Sequence, residues 1–600
     1  MSAIETGVSI SQAIDKALTF GGVLKPNSAP TLEADQIESM PFRWNKHIEK
    51  SSQFIGRSNC SGSAANNEVA VWICGYATVS KESKHLNAAE YALEQYQSTN
   101  SLPLEDLEGS FVIAVHDIRK ERIQIYRNIA GAVNLFYSVI GDELRYSTNL
   151  AHLLSLLPHS RPIDEKLLPL FFLYRCLPGR ETLFQNVMRL LPGDSLVFDS
   201  GKVTHSRITT FDDYRGTVSI YADIIEQIND TIGTAVQSCV HAAPYSAILL
   251  SGGVDSTLLL SHWHECIGEK TSQPVSYCAT LDHPQTVGEF AYAKSAADYF
   301  NSTIRPVPID RPYIDYLDAA IRDTAETPNH VQAAYFPILA HAMHGDGITT
   351  GICGEAADGL FGVSTQDEIH LAEMLRKYIP VSHVRSALKL ICRRDGRRRG
   401  ILELSNRMDD SGYLLHPINQ QASFAHLESV LQCFGQQAVI DAMEYRYSLI
   451  VENGLNKSYL EKLHSANLLT SSINSASYWN TLCETRGIQL LSPFLDSRVI
   501  RLAMSIDDET KYQFRRPKHL LKDALSCRTN HELAYRRKLS FGQPIFEWMS
   551  KDGQLRGAIE QIDNHDFVDS ATLARAKAIP NWFLYNLLCF DRLKKHLRAI

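Results

Sequence analysis

The segment richest in chemistry is Ala247-Ile248-Leu249-Leu250-Ser251-Gly252-Gly253-Val254-Asp255-Ser256-Thr257. It reads as an apolar strand closing on Leu249 and Leu250, a glycine turn, and the first turn of a helix, the arrangement that holds an anion. Gly252 and Gly253 let the backbone turn tightly and approach a phosphate, while Ser251, Ser256 and the exposed amides of the new helix donate to its oxygens. Asp255 cannot itself favour a phosphate, so a divalent cation between the two is the natural explanation. At average residue usage the five fixed positions of SGGxDS arise by chance roughly once in a thousand chains of this length. The GxxxxGK[ST] loop that serves γ-phosphate chemistry is absent.

The loop resembles the pyrophosphatase loop (PP-loop) of ATP-cleaving enzymes that release pyrophosphate and leave AMP on their substrate, and the reaction it implies is adenylation. That wider family includes asparagine, β-lactam, GMP and NAD synthetases and tRNA-modifying enzymes, so the loop alone leaves the acceptor open. Three further segments, in the right order, resemble the asparagine synthetase branch. Cys353-Gly354-Glu355-Ala356-Ala357-Asp358-Gly359-Leu360-Phe361-Gly362-Val363 is similar to SGEGxDExFGG, departing from it at Cys353, Ala356, Gly359 and Val363. Leu491-Ser492-Pro493-Phe494-Leu495-Asp496 is similar to RxPFLD, with Leu491 for the usual Arg and Gln489 for the usual Glu two residues earlier. Lys518-His519-Leu520-Leu521-Lys522 and Tyr535-Arg536-Arg537-Lys538-Leu539-Ser540-Phe541 resemble the basic segments that close the family's catalytic domain.

The resemblance implies ATP and Mg²⁺ as cofactors. Nucleotide-binding positions carried over are Leu249, Leu250, Ser251, Gly252, Gly253, Asp255, Ser256, Ala279, Cys353, Gly354 and Lys518. Asp255 and Asp358 each follow a small-residue turn after an apolar strand, so a parallel sheet can bring both to its carboxyl edge, where they would hold Mg²⁺ on the departing pyrophosphate. Lys538 matches a lysine that in β-lactam synthetase-like relatives would stabilise charge on the phosphates and the tetrahedral intermediate. Glu355 stands where asparagine synthetases keep Glu and β-lactam synthetases keep a Tyr; a carboxylate there accepts a proton or anchors a cationic amine.

The first third of the chain carries a second resemblance. Leu104 to Asp117, Arg127 to Tyr137 and Leu144 to Ser147 are similar to the LxGxFAxxxxD, RDxxGxxPLYY and FASE stretches of class II glutamine amidotransferase domains. Glutamine hydrolysis in that family needs an N-terminal Cys whose thiol attacks the amide, with its own α-amine as base. Position 2 is Ser2, the first cysteine is Cys60, and the nearest match to the glutamine-holding segment, Val71 to Tyr76, keeps the strand and loses the Asn. The chain therefore resembles an asparagine synthetase that takes its amine from elsewhere, as β-lactam synthetases, carbapenam synthetases and lasso peptide cyclases do from the substrate itself.

The elements that must position these residues fall into two blocks. Up to about residue 210 short β-type runs dominate: Val69 to Ile73, Ser110 to His116, Arg122 to Tyr126, Leu135 to Ile140 and Asp194 to Val197. From about 218, helix-period stretches such as Ile220 to Val240 alternate with short apolar strands such as Ala247 to Leu250, which predicts a parallel α/β unit. Between about 364 and 485 amphipathic helices take over, broken by Arg393, Arg394, Arg397, Arg398 and Arg399. The expected fold is thus α/β: residues 1–212 a degenerate glutamine amidotransferase-like α+β domain, and 213–600 a PP-loop synthetase domain with a parallel sheet and a large helical portion.

Composition narrows the rest. At 600 residues, 44% hydrophobic and 21% charged, the chain is of ordinary globular make-up. A net charge of −8 supplies no basic field for nucleic acid or anionic membrane, which disfavours the tRNA-modifying class. No signal peptide or membrane span is evident, so a cytoplasmic location is expected. Twelve scattered Cys form no CxxC pair and read as buried thiols.

The leading expectation is an AMP-forming, ATP-dependent amide ligase, most specifically a lasso peptide macrocyclase in which the peptide's α-amine closes on an adenylated Asp or Glu side chain. Glu355 in place of Tyr, the long helical region and the arginine cluster favour it over a β-lactam synthetase. The partners expected are a peptide or small-molecule substrate bearing carboxylate and amine, with a precursor peptide, its peptidase and a leader-binding protein in the lasso case. The alternatives are a β-lactam synthetase-like cyclase, an enzyme using ammonia or a small amine on a metabolite, and a non-catalytic scaffold.

Overall fold

The computed structural model describes residues 19–24, 62–80, 87–158, 162–220, 223–242, 245–267, 275–283, 287–362, 367, 425–455, 458, 460–462, 464, 468–536 and 542–599. Among the described residues ten strands come first: β1 (Gly21–Leu24), β2 (Gly62–Ala65), β3 (Val69–Val79), β4 (Leu107–Asp117), β5 (Arg122–Arg127), β6 (Phe136–Ile140), β7 (Glu143–Ser147), β8 (Met188–Arg189), β9 (Asp194–Asp199) and β10 (Lys202–Arg207). They form two antiparallel sheets, ordered β1-β7-β6-β8 and β10-β9-β5-β4-β3-β2.

Side-chain alternation explains why the two sheets stack. Along β3, Ala70, Trp72 and Cys74 share a core with Leu144 and Tyr146 of β7, whereas Val69, Val71 and Ile73 face the other way, onto the helix Ala88–Thr99. β4 is buried along its whole length because both of its faces are covered. The strands read from sequence are present, and β3 runs on beyond Ile73 through Gly75 and Tyr76 to Val79, paired with β4 up to Val79 opposite Leu107.

The second block is built on β11 (Ser246–Leu249), β12 (Val275–Thr280), β13 (Thr303–Pro308), β14 (Thr350–Ile352) and β15 (Gln489–Leu491). All four pairings are parallel, in the order β13-β12-β11-β14-β15. The chain steps one way from β11 to β13 and then returns to the other side of β11, so β11 and β14 flank the switch point where open α/β sheets bind ligands. The helix Val254–Ile267 is fixed beneath this edge by Trp263, which is fully buried and whose indole N–H donates to Ser246 Oγ at 3.0 Å. Burial of such a side chain is worth about 2–3 kcal/mol.

Helices dominate the later part, including Leu427–Phe434, Gln436–Glu452, Ile473–Glu484 and Trp582–Ala599. The arginine cluster at Arg393 to Arg399 lies outside the described residues. No helix among the described residues is long and apolar enough to cross a membrane. The two blocks do not keep separate cores. One cluster joins Tyr76, Ile129 and Ala132 to Ile228, Leu250 and Leu258; another joins Phe136, Leu150 and Phe172 to Tyr313, Tyr585 and Phe590.

Candidate active site

The loop after β11 has the conformation its glycines suggest. Gly252 has φ +73, and a Cβ there would lie 2.5 Å from the backbone of Tyr292 and Ala293, so only glycine fits. Gly253 is different: among the described residues a Cβ there would meet only Ser251 Oγ, at 3.4 Å. Among the described residues nothing else stands over Gly253, so a side chain there would fill the cradle without disturbing the fold. The Ser251 and Ser256 hydroxyls lie 3.2 Å apart across the turn, and Gly253 N donates to Ser251 Oγ at 3.3 Å. The helix opens at Val254, so its free amides and positive dipole end face the same spot.

These differences give a discriminating pair of substitutions. Gly253→Ala is expected to raise the KM for ATP at least tenfold with little change in melting temperature. Gly252→Ala should lower melting temperature and activity together. Steady-state kinetics and thermal unfolding of both variants check this, and a Gly253→Ala enzyme with unaltered nucleotide KM would remove the cradle.

Asp255 and Asp358 come together because β11 and β14 are adjacent and parallel. Between them sits one ammonium: Lys518 Nζ is 2.6 Å from Asp255 Oδ2 and 2.5 Å from Asp358 Oδ1. Lys518 holds a left-handed conformation at the start of the helix His519–Ser526, and its side chain is 7% exposed. Burial alone would lower its pKa, but the two carboxylates outweigh burial and hold it above the ordinary lysine value. One turn on, Lys522 is pushed down, first by burial and then by Lys518.

A cation is evidently at home between these carboxylates, and Asp255 Oδ1 is buried with no hydrogen-bond partner among the described residues. Hard carboxylate oxygens suit Mg²⁺, which ordinarily takes one or two carboxylates and completes its shell with water and substrate phosphate. No group of three or more His, Cys, Asp or Glu able to hold a metal occurs among the described residues. Asp255 and Asp358 are the residues that would hold Mg²⁺, with water and substrate phosphate completing its shell.

Around this point opens a cavity of about 510 Å³, within the range of small-molecule sites. Leu249, Leu250, Ser251, Gly252, Gly253, Asp255, Ser256, Ala279, Cys353, Gly354, Glu355, Asp358 and Lys518, all singled out from sequence, line it. Cys353 is buried, which raises its thiol to about 12 and leaves it an inert wall. The Glu355 carbonyl accepts from Ser492 Oγ at 2.6 Å, so the turn after β14 is tied to the Pro493 segment after β15. Lys538 lies outside the described residues.

Further lining residues had no recognised signal. Lys522 and Arg536 belong to basic segments noticed above but given no role there. Arg536 donates to the Tyr292 carbonyl at 3.0 Å and stacks on that ring, beside Gly252. Trp479 lies more than a hundred residues from the neighbouring pair Tyr335 and Phe336 and meets them only in the fold.

The earlier strand Val71 to Tyr76, where a glutamine-holding segment would lie, is engaged with the synthetase half. Tyr76 Oη donates to Asp496 Oδ2 at 2.9 Å, and Gln489 Nε2 donates to the Gly75 carbonyl at 3.1 Å. Nearby, Arg501 Nη1 meets Glu108 Oε1 at 2.8 Å. Ser2 and Cys60 lie outside the described residues.

A family model described as asparagine synthase matches residues 227–585, and one described as a glutamine amidotransferase domain matches residues 79–209. The chain is 21% identical over 490 residues to asparagine synthetase [glutamine-hydrolyzing] 1 of Bacillus subtilis, an alignment covering 77% of this chain and 72% of that protein. It is 24% identical over 288 residues to amidase chry2 of Gibberella zeae, covering 43% and 40%. Against the solved structure of the glutamine phosphoribosylpyrophosphate amidotransferase from B. subtilis, identity is 10%, coverage 50% of this chain and 78% of that one, and the TM-score 0.21, too low to argue from. With a glutamine amidotransferase-type domain followed by an asparagine synthase domain on a parallel sheet, the chain belongs to the asparagine synthase family.

Proposed function

We propose that this protein is an AMP-forming amide ligase that adenylates a carboxylate and joins it to an amine of the same substrate, as a lasso-type macrocyclase does. The observation that carries the adenylation half is the cradle itself: a glycine loop and helix start at the switch point, with Asp255, Asp358 and a buried Lys518 on one spot. In this reading Ser251, Ser256 and the loop amides bind the β- and γ-phosphates. Asp255 and Asp358 would hold Mg²⁺, which when bound neutralises charge developing on pyrophosphate.

The substrate carboxylate attacks the α-phosphorus and the bond to the bridging oxygen breaks, giving acyl adenylate and pyrophosphate. The amine then attacks the acyl carbon, loses a proton, and AMP departs. Glu355, which lines the cavity, is assigned to receive that proton or to anchor the amine before it is deprotonated. Lys538 is assigned to the charge of the tetrahedral intermediate.

Support for an amine other than glutamine-derived ammonia comes from β3, whose Gly75 and Tyr76 are engaged by Gln489 and Asp496. The expected products from ATP and a carboxylate–amine substrate are AMP, pyrophosphate and a product lighter by one water. Adding glutamine should release no ammonia and leave the rate unchanged. Mass spectrometry and coupled ammonia detection test both, and ADP with phosphate, or ammonia from glutamine, would overturn the proposal. Incorporation of a free amine instead would favour an ammonia- or amine-using synthetase.

A further inference from the structure

Glu355 stands between two backbone constraints. Before it, Gly354 is pressed against the phosphate loop: a Cβ there would lie 3.0 Å from Asp255 Cβ and 3.2 Å from Ser256 N. After it, Ala356 is buried and left-handed, at φ +74, where it caps the helix Ala357–Phe361. A residue with a Cβ rarely adopts that conformation, because the Cβ crowds the backbone carbonyl, and it persists only where its surroundings over-determine it. The turn therefore holds strain that a flip of the 355–356 peptide, taking Ala356 to negative φ, would release.

Ser492 opposes that flip. Its buried hydroxyl donates to the Glu355 carbonyl at 2.6 Å, so a flipped carbonyl would leave the hydroxyl unpaired away from water. Ala356 also shares an apolar cluster with Leu491 and Phe494, on either side of Ser492. The place of Ser492 is in turn set from the amidotransferase half. Upstream, Gln489 Nε2 donates to the Gly75 carbonyl of β3 at 3.1 Å. Downstream, Asp496 accepts from Tyr76 Oη of β3 at 2.9 Å, and Ser497 Oγ accepts from Gly109 N of β4 at 2.9 Å. Tyr76 and Asp496 are both fully buried, so the stretch that carries Ser492 is bolted at each end to the other domain.

Resting on the acyl-transfer role assigned to Glu355 above, we propose that Ser492 is a positioning residue. It locks the 355–356 peptide in its strained orientation so that Glu355 meets the amine, and the amidotransferase-type domain serves this step by clamping Ser492 from β3 and β4. Ser492 acts through the backbone and touches no reacting atom. Adenylation rests on the phosphate loop, Asp255 and Asp358, and proceeds without the latch.

The test uses the full chain and two readouts. In hydrogen–deuterium exchange without substrate, Ser492→Ala should speed exchange across residues 353–361 at least tenfold. Adding Ala356→Gly to that variant should recover at least threefold, because glycine holds positive φ without strain. In turnover with ATP, Mg²⁺ and the peptide Gly-Ala-Ala-Ala-Ala-Ala-Ala-Ala-Asp-amide, which carries both reacting groups, Ser492→Ala should lower amide formation at least tenfold. ATP–pyrophosphate exchange with the N-acetylated peptide, which lacks the amine, should stay within threefold of wild type. Tyr76→Phe, which frees one end of the clamp, should give the same split at threefold or more. Unaltered hydrogen exchange in Ser492→Ala overturns the latch, and no recovery by Ala356→Gly overturns the strain it is said to hold. An equal fall in both reactions makes Ser492 a support of the fold alone and overturns the proposal. A wild type that makes no AMP from either peptide counts against the proposed function, while hydrogen exchange still decides whether Ser492 holds the Glu355 turn.

Discussion

Replacing Asp255 by Asn is expected to lower AMP formation about 10³-fold or more while the protein stays folded. Its Oδ2 accepts the Lys518 ammonium and its Oδ1 is buried without a partner. A neutral amide loses the charge that both an ammonium and a divalent cation require, and electrostatic stabilisation of a departing phosphoryl oxygen is worth several kcal/mol, with each 1.36 kcal/mol a factor of ten. The fold tolerates the change because Lys518 keeps Asp358 and the side chain is isosteric. Product analysis by chromatography, with circular dichroism as the folding control, checks both halves. A variant within tenfold of wild type would dissociate Asp255 from the chemistry.

The second large effect concerns Lys518. Lys518→Met is expected to lower activity by 10² to 10³ and to destabilise the protein by about 3–5 kcal/mol, because two carboxylates are left facing each other with their shared cation gone. Millimolar Mg²⁺ should restore part of that stability, since a cation bound only by the native state stabilises by mass action, whereas wild type should respond far less. Denaturant unfolding with and without Mg²⁺ measures it. A Lys518→Met protein as stable as wild type, or indifferent to Mg²⁺, would mean that the two carboxylates do not form a cation site.

Parts of this site were legible in the chain and parts were not, for physical reasons. The loop at Ser251 to Ser256 is local: a strand, two glycines and a helix start are written in consecutive residues, and the positive φ of Gly252 is what such a turn needs. Asp358 was reachable because it too follows a strand, and parallel sheets collect strand ends at one edge. That Lys518 would close the gap between them depends on a contact spanning 263 residues, which no periodicity encodes. The Phe336–Trp479 stack is invisible for the same reason, since each residue reads simply as apolar in a helix. β3 outran its expected end because Gly75 and Tyr76 interrupt the alternation that marks a strand, while pairing with β4 carries it onward.

The cores that run across both halves of the molecule have a consequence for how such a chain changes over time. Arg175, from the earlier half, is buried between Trp582 and Tyr585 of the last helix, donates to the Asn586 side chain, and also donates to the Asn329 carbonyl just before His330. Stripping the amidotransferase-type domain away would expose the apolar faces that Phe136, Leu150 and Phe172 now cover, and would remove the Arg175 bond to the Asn329 carbonyl. Such a domain is freed to drift in its own catalytic residues long before it can be deleted, because its interior is also its neighbour's interior. Loss of an activity and loss of a domain are then two separate events, and packing allows only the first.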